Sequence, residues 1–247
     1  ERGRVNLFAG CLAQQVEPQV STAAIRVLRR LGYRVLVPGD QVCCGAMHLH
    51  NGDRDLARRL AERNLRAFAG GGDDAPLLTS ASGCGAHLQE YSRLLGSGEG
   101  SALAARVSDI AQFLASGGWP AEIQLLPLPT RVAVHDPCSL ANAMGQADGV
   151  YRLLGRIPGL RLEPLAGNPA CCGAAGTYLI QQPAISAALG ADKSEALRQA
   201  APDMVVTSNP GCALQLRAVL RDAGLELEVL HPIELVGRQL PEPDNMV

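Results

Sequence analysis

Eight cysteines fall in two sets of nearly equal spacing, and this repeat constrains the fold more than any other feature of the chain. Cys11, Cys43, Cys44 and Cys84 are 32, 1 and 40 residues apart; Cys138, Cys171, Cys172 and Cys212 are 33, 1 and 40 apart. The offset between the sets, 127 or 128 residues, extends beyond cysteine. Arg4-Val5 matches Arg131-Val132, and Gly32 matches Gly159. Gly45 matches Gly173, Thr79-Ser80 matches Thr207-Ser208, and Gly83-Cys84 matches Gly211-Cys212. A repeat this long exceeds the roughly 20–50-residue units of solenoids. It reads as two copies of one domain, 1–116 and 131–247, with 117–130 as a linker rich in glycine and proline. A chain of 247 residues is long enough for two such cores.

Periodicity gives both copies the same plan. Copy one is predicted to have strands over 5–9, 33–37 and 77–80. Its predicted helices run over 20–31, 53–68, 85–95 and 102–115, with Gly70-Gly71-Gly72 stopping the second. Copy two is predicted to have strands over 131–135, 160–164, 204–207 and 225–230, the last leading into 232–239, and helices over 140–156, 183–200 and 213–223. Strand–helix alternation implies a parallel sheet with right-handed crossovers. The expected fold class is therefore α/β: two tandem Rossmann-like domains, each a small parallel sheet flanked by helices. Internal duplication would relate them by an approximate two-fold axis, through an apolar interface. Each cysteine follows a strand, and parallel strands place their carboxyl ends on one edge, where ligands bind. The spacing thus predicts two four-thiolate sites.

Without a secretion signal, such cysteines favour metal or redox chemistry over disulfides. Structural zinc sites usually use C-x₂₋₄-C chelates, which are missing here. Adjacent cysteines suit an iron–sulfur cluster better, because each thiolate can reach a different iron. Zinc in one site, and thiol chemistry without metal, are alternatives the residues leave open. Gly45, Gly83, Gly173 and Gly211 flank the cysteines; they read either as close-approach positions around a bulky cofactor or as ordinary strand-to-helix turns. His135, before Asp136-Pro137-Cys138, is expected to hydrogen-bond a cysteine sulfur or a substrate. His87 lies one helical turn after Cys84. A Cys-plus-His first site would lean toward zinc, leaving the second, with its small Gly173-Ala174-Ala175-Gly176 run, as the expected cluster holder.

Composition narrows the function. The net charge is −2 and eight residues are aromatic, which argues against a nucleic-acid surface. No run approaches the roughly 18–20 apolar residues of a membrane span. Lys193 is the one lysine among 22 basic residues, which reads as genomic base composition. Phosphate-loop and nucleophile-elbow motifs do not occur. The chain begins at Glu1 rather than Met, which reads as a fragment or a processed piece.

The duplicated pattern, with Thr79-Ser80-Ala81-Ser82-Gly83-Cys84, Cys171-Cys172-Gly173-Ala174-Ala175-Gly176 and Asn209-Pro210-Gly211-Cys212, resembles the cysteine-rich CCG domain. That domain occurs in subunits of heterodisulfide reductase and glycerol-3-phosphate dehydrogenase, and in the lactate-utilisation and glycolate oxidase iron–sulfur subunits. The glycolate oxidase subunit is the nearest in wording. The resemblance implies an iron–sulfur subunit, with 4Fe-4S-type clusters, that passes electrons from a flavin-containing dehydrogenase subunit toward quinone. It also implies an upstream ferredoxin-type domain or subunit, and a cytoplasmic location with peripheral contact to the inner face of the cell membrane. The heterodisulfide reductase relatives carry a fifth cysteine; His87 and Gln215 stand in its place here. A thiol–disulfide enzyme and a zinc-binding docking module are the rival readings.

Overall fold

Val5 and Leu7 alternate with Asn6 and Phe8 along β1 (Gly3–Phe8), and all four are buried. A central parallel strand, covered on both faces, requires that pattern. β1 pairs with β2 (Tyr33–Leu36) on one side and β3 (Leu77–Thr79) on the other, and β3 pairs with β4 (Val107–Asp109). The second copy repeats this with β5 (Arg131–Val134), β6 (Arg161–Pro164), β7 (Met204–Val206) and β8 (Glu228–Leu230). Both sheets are parallel, in the orders β2-β1-β3-β4 and β6-β5-β7-β8. The chain therefore reverses its winding between β1 and β3, and between β5 and β7. A crevice opens there at the carboxyl ends, the usual ligand position in such sheets. The computed structural model describes residues 2–69, 75–168 and 170–242.

Thirteen helices are described. In the first copy these are α1 (Cys11–Val16), α2 (Pro18–Arg30), α3 (Ala46–His50), α4 (Arg54–Ala69), α5 (Ser82–Gln89), α6 (Tyr91–Leu95), α7 (Gly98–Arg106) and α8 (Ile110–Phe113). In the second they are α9 (Asp148–Leu154), α10 (Tyr178–Gln181), α11 (Pro183–Ala200), α12 (Pro210–Asp222) and α13 (Pro232–Gln239). Three sequence expectations need correction. The helix expected over 102–115 is interrupted by β4, because Asp109 leaves the helical region and its carboxylate caps Ala111 N at 2.8 Å. The helix expected over 140–156 is split at Gly145, whose φ of 65° ends an irregular turn, Ser139–Met144. Cys11 opens a short helix, α1, where none was expected. The Gly70-Gly71-Gly72 stop lies outside the described residues.

The core explains how the halves join. Each sheet has an outer cluster, Phe8, Phe68, Leu77 and Tyr91 in one copy and Ala133, Leu197, Val205 and Leu216 in the other. The inner faces share a single cluster, with Val5, Leu7 and Leu78 joined to Val132, Val134 and Val206. The last helix of each copy packs on the first long helix of the other: α13 lies on α2, and α8 on α9. Arg26 of α2 donates to Gly237 O at 2.5 Å. Gly149 of α9 lies so close to α8 that an added Cβ would fall 2.5 Å from Gln112 Cα. A second reciprocal pair sets α1 against α12, and α5 against the turn Ser139–Met144. Mutual contacts of this kind are the signature of two-fold pairing.

Candidate metal centres

The first cysteine set lies at the carboxyl ends of β1, β2 and β3. Cys11 opens α1, Cys43 and Cys44 follow β2, and Cys84 lies in the first turn of α5. Cys11 Sγ is 3.3 Å from Cys43 Sγ. Cys43 and Cys44, and Cys44 and Cys84, lie close enough to shift one another's protonation. Gly45 N donates to Cys43 Sγ at 3.5 Å. A side chain at Gly10 would stand 3.7 Å from Cys84 Sγ, so the β1 loop lies directly over that sulfur.

The second set repeats the arrangement. Cys172 Sγ is 3.2 Å from Cys212 Sγ, and Cys171 lies close enough to Cys138 and Cys172 for their protonation to be linked. Gly173 N donates to Cys171 Sγ at 3.3 Å. Cys11 and Cys138 are exposed, whereas Cys44, Cys172 and Cys212 are buried. Each site is thus open at its first cysteine and closed behind the others.

Crowding decides the protonation of these thiols. The Cys11 thiol is pushed up by its bond to Cys43 and by burial. Cys44 accepts from Cys43, which favours its thiolate, yet the bond to Cys84 and burial outweigh this and raise it. Cys138 is raised by its bond to Cys171 and by burial. Cys171, which accepts from Cys138 and Cys172, is held low instead. In the second row Cys171 ionises readily while Cys138 and Cys172 do not; in the first row Cys11, Cys43 and Cys44 are all raised. Four thiolates coexist only around a cation, which reverses that order.

His135 is 2 % exposed, and its Nδ1 lies 3.0 Å from Thr207 Oγ1. Burial, together with the Lys193 charge, lowers it to about 4, so the ring is neutral at pH 7. A ring nitrogen of His135 and the sulfurs of Cys172 and Cys212 all lie within 4.8 Å of one another. Among the described residues no other three ligand-type atoms are so close. Among the described residues His87 forms no set this compact with the first cysteines. His87 turns to His50, Tyr91 and Glu90 instead, with ring centroids 6.4 Å from His50 and 5.6 Å from Tyr91. The compact mixed set belongs to the second copy.

The flanking glycines abut protein. Gly45 and Gly173 are left-handed, with φ of 95° and 93°, and back onto Ala57 of α4 and Ser186 of α11. A Cβ at Gly83 would meet Asn209 Nδ2 at 3.1 Å, and one at Gly211 would meet Ala174 O at 3.2 Å. Asn209 also ties the sites together. Its Oδ1 caps Gly211 N at 2.9 Å, while its Nδ2 donates to Ser82 Oγ at 3.1 Å and Ser139 Oγ at 3.3 Å. Those serines adjoin Gly83-Cys84 and Cys138. Asn209→Ala is expected to cost about 1–2 kcal/mol, the usual worth of such a cap. A urea titration checks this; an unchanged midpoint would count against the bridge.

Lys193 was not legible as a site residue. It is 2 % exposed and donates from Nζ to Gly167 O at 2.5 Å; burial lowers it, while the fields of Cys172, Cys171 and Cys212 favour its charge. Its rarity in the sequence was the available signal.

The cysteine-rich domain family model CCG matches this chain twice, over residues 5–89 and 132–217. The chain is similar to a fumarate reductase (CoM/CoB) subunit of Methanothermobacter marburgensis, 35% identical over 94% of this chain and 46% of that protein. It is also similar to the glycolate oxidase iron-sulfur subunit of Escherichia coli K12, 34% identical over 96% of this chain and 58% of that one. Lactate utilization protein A of Geobacillus thermodenitrificans is 28% identical over 96% and 99% of the two chains. The chain thus spans about half the length of the first two relatives.

Proposed function

Since the chain belongs to the cysteine-rich CCG domain family, with two copies of the domain, we propose that it is the iron–sulfur, electron-carrying part of an oxidoreductase complex. The observation that carries this reading is the convergence of four cysteine sulfurs at the switch point of each sheet. Each set has a backbone N–H aimed at its middle sulfur. A tetrahedral zinc with bonds near 2.3 Å would set all four sulfurs about 3.8 Å apart. Among the described residues no three cysteine sulfurs are within 4.8 Å of one another, so the rows suit a larger group. An iron–sulfur cluster bound there supplies one-electron carriage.

The residues of the chain do the remaining work. Cys11, Cys43, Cys44 and Cys84 would hold one group, and Cys138, Cys171, Cys172 and Cys212 the other. Gly45 N and Gly173 N donate to sulfur, and Cys44, Cys172 and Cys212 lie where water is excluded, which tunes the potential. The names of the relatives support glycolate, or another 2-hydroxy acid, as substrate of the complex. A flavin-containing partner would supply electrons, a ferredoxin-type domain or subunit would relay them, and quinone would receive them at the inner membrane face. Among the described residues no helix is long and apolar enough to cross a membrane, which fits peripheral contact. Residues 1–116 and 131–247 are the two units of this reading.

The test is iron, sulfide and zinc analysis with a visible spectrum, on protein purified without oxygen. Iron with acid-labile sulfide and broad visible absorption is expected, and Cys44→Ser and Cys172→Ser should each remove about half of the iron. Colourless protein holding stoichiometric zinc would refute the reading. One observation favours zinc in the second site, the compact His135–Cys172–Cys212 set. In that event Cys172→Ser releases zinc and leaves the iron in place.

A further inference from the structure

The duplication places two different residues at one position of the fold. In α4 the buried side chains are Ala57, Ala61, Asn64 and Phe68. In α11 they include Ser186, Gly190, Lys193 and Leu197, with the same 4, 3, 4 spacing. Gly45 packs on Ala57 as Gly173 packs on Ser186, which fixes the equivalence. Asn64 and Lys193 are therefore counterparts, each behind the Cys-Cys pair of its own copy.

Asn64 is neutral and fully satisfied. Its Oδ1 accepts from Val42 N at 2.9 Å, and its Nδ2 donates to Cys43 O at 3.1 Å and Tyr91 Oη at 3.0 Å. Lys193 brings a cation to the same depth. Its one hydrogen bond is to the Gly167 carbonyl, and no carboxylate among the described residues pairs with it. A buried ammonium is costly without a counter-charge. Burial works against its charge, and what favours the charge is the field of Cys172, Cys171 and Cys212, with a weaker one from Asp192, the next residue; His135 is neutral.

We propose that Lys193 is a fixed counter-charge for the group held by the second cysteine set, and that it makes this set the stronger electron acceptor of the two. The inference rests on the iron–sulfur reading above. A positive charge in a low-dielectric interior favours whichever state carries the additional negative charge. The Lys193 ammonium therefore favours the reduced state at the second set, while Asn64 leaves the first set without that help. The electron comes from a reduced flavin donor, and no bond is made or broken. The fold thus orders the two centres, with electrons collecting at Cys138, Cys171, Cys172 and Cys212.

The test is an equilibrium redox titration of the iron- and sulfide-reconstituted protein, followed by electron paramagnetic resonance and visible absorbance. Two reduction waves are expected. Cys172→Ser should abolish the wave of higher potential and Cys44→Ser the lower. Lys193→Met should make the higher wave at least tenfold less favourable, about 59 mV for one electron, at unchanged iron content, while Lys193→Arg should hold it. An unmoved wave in iron-replete Lys193→Met overturns the proposal. So does loss of the higher wave in Cys44→Ser, which decides the matter even if Lys193→Met does not fold. Wild-type protein that takes up no iron overturns the iron–sulfur reading itself, and the proposal with it.

Discussion

Gly173→Ala is expected to destabilise the metal-free protein by about 3–4 kcal/mol. Two effects add. At φ 93° an L residue sits in the left-handed region, which costs roughly 1–2 kcal/mol. The new Cβ would also stand 2.5 Å from Ser186 O and 3.0 Å from Ser186 Cα, both backbone atoms of α11. Relieving that overlap means shifting the helix that carries Lys193, with an overpacking cost of about 1–3 kcal/mol. Gly45→Ala pays the same conformational penalty at φ 95°, but its nearest contacts, Ala57 Cα and O, are at 3.2 Å. About 2 kcal/mol is expected there. Urea unfolding of both variants measures the difference, and equal losses would show that the contact with α11 is irrelevant.

Asp109→Asn is expected to stabilise the protein at pH 8, by up to about 4 kcal/mol, and to change little near pH 4. The Asp109 carboxyl is fully buried, and burial raises it to about 7, against hydrogen bonds from Ala111 and Gln112 that pull it down. Its Oδ1 caps α8, while its Oδ2 has no partner. The folded state therefore holds a proton that the unfolded chain releases near pH 4. Wild-type stability falls as pH rises from about 4 to 7, then levels off. Asn keeps the capping oxygen and removes the charge. Chemical unfolding at pH 4.5, 6.5 and 8 reads this out; a stability gain that is the same at all three would refute it. His231 acts in the opposite sense. Burial holds it at about 4, against the bond to Ser80 O, so its contribution is present above pH 6.5 and disappears as pH falls toward 4.

Asp109 and His231 also show what the sequence conceals. Asp109 ends the last strand of its copy and His231 follows that of the other, and each caps the helix after it, α8 or α13. The second instance was legible because Gly224 separates helix from strand and Pro232 opens the next helix. The first was not, because the apolar residues of 102–115 keep helical spacing across β4. The gathering of the cysteines at one edge of each sheet was legible because each follows a strand, a topological relation that survives small errors in element ends. Lys193 lay hidden for another reason. The offset between copies drifts from 127 through 128 to 129, and only packed helices reveal that Asn64 and Lys193 correspond. The neighbours of His87, namely His50, Tyr91 and Glu90, were not legible, because spacing gives the turn of a helix but not what its side chain meets.

The exchange of final helices sets how this architecture can have arisen. A single copy ending at its own last helix would leave uncovered the face of its first long helix on which the other copy's last helix packs here, and a second identical chain would cover it. Such a single-copy unit would gain that cover by pairing with itself, and its stability would then depend on its concentration. Joining the two genes through 117–130 makes the association intramolecular, with Trp119 and Leu125 of the join buried in the shared core. Fusion also frees the protomers from identity. In a homodimer a lysine behind one Cys-Cys pair is a lysine behind both, and only the tandem chain can be asymmetric.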